Sequence, residues 1–144
     1  MQVSFALFAD AANLSQEGKL NILGVFDALQ VSALPAVHAR AYMVVRLKGS
    51  HADIGTHTMG LRWLSPNGQE LWSSVGELNV GAPPSGVGEM DLPLIAAIDL
   101  PLDVVGGYSM EIGLNNVTHA KIPLYVRTAD MVSPMTPASG SMMS

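Results

Sequence analysis

The sequence predicts an all-β protein, an antiparallel β-sandwich of immunoglobulin-like or jelly-roll type with about eight strands and an irregular C-terminal tail. Three observations carry this prediction. Short apolar runs recur along the chain, polar residues alternate with apolar ones inside most of them, and turns rich in Gly or Pro separate them. Strands at such regular spacing are typical of two packed sheets.

The N-terminal region supplies the first two strands, which we predict over residues 2–9 and 20–32. Gly18 lies in the polar turn between them and permits a left-handed backbone that a side chain would oppose. The second run is apolar at adjacent positions, as in a central strand covered on both faces. Its apolar residues are Ile22, Leu23, Val25 and Phe26.

Three polar or small residues in this region are interpreted as structural. Gly24 lies inside the second apolar run, which predicts a bulge or a close backbone approach. Asp10 and Asp27 each end an apolar run. We therefore expect both to cap turns through short hydrogen bonds from side chain to backbone.

The remaining strands alternate more clearly. A run over residues 42–48 carries Arg46 and Lys48 on its outer face, and a tight turn over residues 65–68 forms the clearest hairpin. The stretch 82–88 contains two prolines and is predicted to be a long connection. The residues expected to face the core are Met43, Val45, Leu47, Met59, Leu61, Trp63, Met90, Leu92, Leu94, Ala96, Ile98, Leu100, Tyr108, Met110, Ile112, Leu114, Ile122, Leu124 and Val126.

The length of 144 residues suits one domain. We place a β-sandwich domain at residues 1–127 and an irregular tail rich in Met, Ser and Pro at residues 128–144. The chain has no Cys, which excludes disulfides and thiolate chemistry. No signal-peptide pattern begins the sequence, so we expect it in the host cytoplasm or in a virion.

The charge balance bears on partners. Seven Lys and Arg residues against twelve Asp and Glu give a net charge of −5, without a basic cluster. We therefore expect no nucleic-acid partner and no membrane partner. Only 13% of residues are charged, where a typical soluble domain has about 25%. Because the surface must then expose uncharged and apolar groups, we expect a homo-oligomer or a larger protein assembly. An alternative is a bland surface of Ala, Gly and Ser.

Five residues are candidates for such an interface. Trp72 flanks the hairpin turn and could lie on the face opposite Trp63, although core packing is the commoner role of a Trp. The tail supplies flexible Met side chains that fill irregular grooves. The candidate interface residues are Trp72, Met131, Met135, Met142 and Met143.

Motifs for nucleotide binding, hydrolase nucleophiles, zinc proteases and EF-hands do not occur in the sequence. We therefore assign no catalytic residues, no cofactor and no metal, and we expect a protein that is not an enzyme. Two alternatives remain as weaker hypotheses. His51, His57 and Asp53 share one loop and could bind a metal ion, although solvated histidines are the simpler interpretation. Four carboxylates form an acidic rim that could bind calcium, although they could equally be ordinary surface charges. The residues of this rim are Glu89, Asp91, Asp99 and Asp103.

The stretch Phe8-Ala9-Asp10, followed by residues 18–27 with the sequence GKLNILGVFD, resembles an uncharacterised family of short bacterial and bacteriophage proteins. The C-terminal pairs Gly107-Tyr108 and Pro123-Leu124 fit the same pattern. The resemblance covers residues 5–127 and implies a β-sandwich fold and a prokaryotic or phage setting. It implies no activity and no catalytic residues.

Two functions are consistent with these observations. The first is a structural or assembly protein, in particular a phage virion component such as a capsid-decorating or accessory subunit. The alternative is a cytoplasmic β-sandwich module that binds a carbohydrate or a protein partner. The alternative would use the face carrying Trp72, or the loops at residues 50–57 and 82–88.

Overall fold

A computed structural model of the protein describes residues 1–83, 86 and 88–129. Nine strands form two sheets, so the predicted β-sandwich is confirmed. The strands are β1 (Gln2–Leu14), β2 (Leu20–Phe26), β3 (Ala28–Val31), β4 (Ala36–Ser50), β5 (Gly55–Leu64), β6 (Glu70–Val80), β7 (Glu89–Leu102), β8 (Gly106–Leu114) and β9 (Val117–Thr128). Within the described ranges no helix is long and apolar enough to cross a membrane.

The four-stranded sheet has the order β2-β1-β4-β7, and the five-stranded sheet has the order β3-β9-β8-β5-β6. All neighbours are antiparallel except β3 and β9, which run parallel. β6 ends at Val80 and β7 begins at Glu89, so the connection predicted at residues 82–88 lies between these strands, and its residues 84, 85 and 87 are outside the described residues.

The single strand predicted over residues 20–32 is wrong, because it is two strands in different sheets. β2 belongs to the four-stranded sheet and β3 to the five-stranded sheet, and the chain crosses between them at Asp27. The backbone carbonyl of Asp27 accepts a hydrogen bond from the backbone N–H of Tyr125 at 2.8 Å, which fixes the crossing. β2 is an edge strand, so the expectation of a central strand covered on both faces is also wrong.

Two hairpin turns share one design. Ser15 and Ser65 each begin a turn, and each hydroxyl accepts hydrogen bonds from two backbone N–H groups ahead of it. In each turn a glycine three residues later has a positive φ, +81° at Gly18 and +80° at Gly68. Because glycine adopts this conformation without strain, the left-handed turn predicted at Gly18 and the tight turn predicted at residues 65–68 are both confirmed.

Gly24 and Asp10 lie opposite each other in the β1–β2 ladder. Gly24 has a φ of +70°, and a Cβ built on it would overlap the Asp10 carboxylate. The predicted close approach at Gly24 is therefore confirmed, with a side chain as the neighbour. The expectation that Asp10 ends a strand is wrong, because β1 continues to Leu14.

The core between the sheets is centred on aromatic rings. Trp63 is fully buried, stacks on Tyr108 with ring centroids 5.3 Å apart, and meets Phe8 edge-on at 6.0 Å. Alternating residues of β4, β8 and β9 complete the core, which confirms the inward positions predicted on these strands, whereas Met90 of β7 is not among the core residues. Burial of these side chains is the main driving force for the fold.

Candidate functional site

The loop residues considered for a metal site are engaged in hydrogen bonds within the protein. His57 Nε2 lies 2.6 Å from the backbone carbonyl of Asp53, and His57 Nδ1 lies 2.9 Å from Asn115 Nδ2. Asn115 Oδ1 accepts from the Thr58 N–H at 3.0 Å, so the Asn115 amide nitrogen is the donor to His57. Both ring nitrogens of His57 therefore have partners within the protein.

Asp53 has a separate structural role. Its Oδ1 accepts a hydrogen bond from the Met1 ammonium at 2.9 Å, and its Oδ2 accepts from the Ser50 N–H at 2.9 Å. The hydrogen bond from the ammonium is the largest cause that holds the pKa of Asp53 below its usual value, and the hydrogen bond from the Ser50 N–H is the second. His51 is exposed in the same loop. The three residues do not converge on a common point, and the described part of the chain holds no group of three or more potential metal ligands.

The acidic rim is divided among separate partners. Asp91 binds Arg46 at 2.6 Å, and Asp91 and Glu89 each lie 3.5 Å from Lys48. Asp99 accepts from the Arg40 N–H, and Asp103 Oδ1 lies 2.6 Å from the Tyr108 hydroxyl. The hydrogen bond from Arg46 lowers the pKa of Asp91. These carboxylates therefore stabilise neighbouring cations and loops.

Trp72 lies on the edge strand β6 directly opposite Trp63. It is half-buried and packs against the core, so it shares a face with Trp63 instead of lying on the opposite face. Its role at an interface stays a prediction. The other candidate interface residues lie outside the described residues: Met131, Met135, Met142 and Met143.

The hairpin of β1 and β2 carries three large apolar side chains that are exposed. Leu23 is 70% exposed, Val25 is 60% exposed, and Leu14 on the same hairpin is also exposed. Leu23 and Val25 lie opposite Ala11 and Ala9 in β1, so one face of the hairpin carries only apolar side chains at these positions. Sequence reasoning assigned these residues to the interior because a run without charges is typical of a covered strand.

The tip of this hairpin shares a groove with the outer surface of the four-stranded sheet. The groove has a volume of about 510 Å³. It is lined by Phe5, Gly18, Lys19, Leu20, Ile22, Arg46, Asp91 and Pro93. Leu20 and Ile22 therefore line this groove, while Leu23 and Val25 point away into solvent.

A second groove lies on the outer surface of the five-stranded sheet and has a volume of about 340 Å³. Gly60 and Gly113 are cross-strand partners in it, and a Cβ built on Gly60 would meet nothing within 4 Å. Polar side chains surround these glycines, namely Thr58, Arg62, Glu70, Ser73, Ser74, Glu111, Asn116 and Thr118. No motif in the sequence pointed to this groove.

Arg62 organises the charged end of this second groove. Its guanidinium donates to Glu70 at 2.9 Å and to Glu111 at 2.9 Å, and Lys121 lies 3.5 Å from Glu111. The hydrogen bond to Glu70 is the largest cause that raises the pKa of Arg62, and the negative charge of Glu111 is the second. Val75 and Val117 line the same groove and are 73% and 59% exposed, so the outer surface of the five-stranded sheet carries ion pairs beside exposed apolar side chains.

Two comparisons with known proteins complete the description. No curated protein matches the chain. A model of a family of unknown function, DUF6941, matches residues 4–127, which include nearly all of the nine strands. The chain therefore belongs to the DUF6941 family of unknown function.

Proposed function

We propose that this protein is a non-enzymatic structural subunit that associates with copies of itself or with a larger protein assembly. In particular, we propose a phage virion component, either a capsid-decorating or an accessory subunit. The observation that carries the proposal is the exposure of Leu23 and Val25 on a strand without charged residues. Apolar side chains clustered on an exposed strand are typical of surfaces that become covered in an assembly.

The distribution of charge supports the same proposal. Arg62, Glu70, Glu111 and Lys121 give the outer surface of the five-stranded sheet a network of ion pairs. β2 carries none of the seven Lys and Arg or the twelve Asp and Glu residues of the chain. Because the charges that keep a surface solvated are concentrated elsewhere, the β1–β2 hairpin is the part of the surface best suited to contact another protein.

Density-gradient sedimentation of a lysate from cells that express the protein naturally tests this proposal. We expect the protein to travel with particles much larger than its own mass of 15.1 kDa, together with other structural proteins. A protein found only in the fractions of small soluble proteins, under conditions that keep known particles intact, would contradict the virion assignment.

A second candidate function is a binding module, and the groove beside Gly60 and Gly113 favours it. The groove offers hydroxyl, amide, guanidinium and carboxylate groups around a floor without side chains. Such an arrangement suits a small polar ligand such as a carbohydrate, which needs several hydrogen bonds and a close approach to the backbone.

A thermal-shift screen against a glycan panel tests this second candidate. A specific ligand raises the unfolding midpoint by mass action. The variant Gly60→Val projects into the groove, where a Cβ meets nothing within 4 Å, and should abolish the shift while leaving the unliganded midpoint close to that of the wild type. A shift that persists in Gly60→Val would place the ligand elsewhere, and the absence of any shift would count against the candidate.

A further inference from the structure

We propose that β2 pairs with β2 of a second copy in antiparallel orientation, about a two-fold axis at Leu23, to join two four-stranded sheets into one of eight strands. The inference rests on the proposed function and specifies which surface associates and in which register. Three features of β2 support it: the strand lies at an open sheet edge, it lacks the residues that keep edge strands from pairing, and a charged residue flanks each of its ends.

The backbone of β2 is available for pairing. Ser15 N–H donates to the Lys19 carbonyl at 2.8 Å and closes the hairpin, so hydrogen-bonded and non-hydrogen-bonded pairs alternate from that point along the ladder. This alternation directs the backbone groups of Asn21 and Leu23 towards β1. It directs those of Leu20 and Ile22 towards the free side of the sheet, where β2 is the outermost strand.

The four sheet edges differ in their protection against pairing. β7 carries Pro93 and Pro101 as well as acidic residues, β6 carries Glu70 and Glu77, and β3 has only four residues. Proline, charge and shortness are the devices that keep edge strands from joining other sheets. β2 has seven residues with neither proline nor charge, so it is the edge best suited to accept another strand.

The charges that flank β2 select one register. Lys19 precedes the strand and Asp27 follows it, and both are exposed. When two copies pair antiparallel about Leu23, Lys19 of each copy lies opposite Asp27 of the other. Opposite charges directly across an antiparallel pair are stabilising and like charges are destabilising.

The same register agrees with the backbone and with the exposed side chains. Leu20 then lies opposite Phe26, and Ile22 opposite Gly24, which are the positions whose backbone groups face the free side. Leu23 meets Leu23 of the second copy, and each Val25 lies opposite Asn21 of the other copy. An apolar centre formed by the two Leu23 side chains is therefore flanked on each side by one Val25 and one Asn21.

The size of the contact predicts a weak dimer. Seven residues span about 23 Å and a sheet with its side chains is about 10 Å thick, so the joined edges meet over roughly 230 Å². Stable interfaces bury about 800 Å² on each partner. We therefore expect association that depends strongly on concentration, which suits a subunit whose contacts are completed inside an assembly.

Sedimentation velocity of charge variants tests the register. Lys19→Asp creates two repulsive pairs in the symmetric dimer, and Asp27→Lys does the same with the opposite sign. Each variant alone should remain monomeric at concentrations where the wild type associates. An equimolar mixture of the two should form a heterodimer, because each pair across the axis then joins opposite charges.

Matched controls separate this inference from the proposed function. Leu23→Lys should prevent dimerisation, whereas Val75→Lys, a similarly exposed valine on the edge strand β6, should leave it unchanged. Circular dichroism and unfolding midpoints verify that each variant is folded. The pairing would be overturned if Leu23→Lys associated as strongly as the wild type. It would also be overturned if the mixture of charge variants associated no more than each variant alone. Either result would leave the assembly function standing. A wild type that is monomeric at every concentration would overturn the pairing of β2, whereas the assembly function is tested separately by the density-gradient sedimentation.

Discussion

The indole N–H of Trp63 donates a hydrogen bond to the backbone carbonyl of Pro101 at 2.8 Å, and this bond links the two sheets. Trp63 lies in β5 of the five-stranded sheet, and Pro101 lies near the end of β7 in the four-stranded sheet. Trp63 also stacks on Tyr108 and contacts Phe8. Trp63 therefore contacts residues of both sheets at the centre of the core.

We expect Trp63→Phe to lower the free energy of unfolding by about 2–4 kcal/mol, because it removes buried volume and leaves the Pro101 carbonyl without its donor. Urea unfolding followed by circular dichroism measures the loss. Trp72→Phe is the matched control on the neighbouring strand, where the side chain is half-buried, and should cost about 1 kcal/mol or less. Equal losses in the two variants would contradict the role of Trp63.

Tyr108 holds the loop between β7 and β8. Its hydroxyl accepts from the backbone N–H groups of Asp103 at 2.8 Å and Val104 at 2.9 Å. It also lies 2.6 Å from both Asp103 Oδ1 and the Val104 carbonyl, to one of which it donates. Burial and the hydrogen bond with Asp103 raise the pKa of Tyr108 above its usual value.

This raised pKa predicts an alkaline loss of stability. Because the folded protein keeps the phenolic proton to higher pH than the unfolded chain, the contribution is complete below about pH 10 and declines as pH rises above that value. Tyr108→Phe should lose about 1–3 kcal/mol at neutral pH and show a weaker decline above pH 10. Unfolding free energies measured from pH 8 to pH 11.5 test this, and parallel curves for the two proteins would contradict it.

Gly24→Ala should be more destabilising than an ordinary glycine substitution in a strand. The new Cβ would overlap the Asp10 carboxylate, and the φ of +70° is strained for any side chain. We expect a loss of about 1–3 kcal/mol in urea unfolding. The control is Gly76→Ala in β6, where a Cβ meets nothing within 4 Å and which should be close to neutral. A loss in Gly24→Ala no larger than in Gly76→Ala would show that the approach of Asp10 is not a constraint.

The pair of Arg46 and Asp91 predicts an acid dependence. Because Arg46 lowers the pKa of Asp91, the stabilisation is present above the usual Asp pKa, near 4, and is lost as pH falls below it. Asp91→Asn should therefore show a smaller decrease in unfolding free energy between pH 6 and pH 2 than the wild type. Glu77→Gln on β6 serves as the control and should keep the wild-type slope. An Asp91→Asn curve parallel to the wild type would contradict the effect.

The alternation of side chains predicted most of the fold. Strands such as β8 and β9 have one apolar face, and their inward residues could be identified because each strand covers a single core. The turns that begin at Ser15 and Ser65 could also be predicted, because they depend on neighbouring residues alone. In each turn a serine hydroxyl accepts backbone hydrogen bonds and a glycine adopts a positive φ.

Predictions from the sequence were wrong where contacts between distant residues, and not the local pattern, decide the structure. The run of Ile22, Leu23, Val25 and Phe26 is apolar on both faces, and periodicity alone cannot distinguish a buried central strand from an uncovered edge. Asp27 separates two strands that join different sheets. The position of this crossing depends on a backbone hydrogen bond to Tyr125, which is distant in the sequence. The groove beside Gly60 and Gly113 likewise depends on the pairing of strands distant in the sequence.

Sedimentation velocity of the wild-type protein across a wide concentration range tests the central claim most directly. The account predicts a mass that rises from 15.1 kDa towards twice that value as concentration increases, and that stays at the monomer value in Leu23→Lys. A wild-type mass that remains at 15.1 kDa at the highest concentration would contradict the claim that the uncharged edge of β2 mediates association.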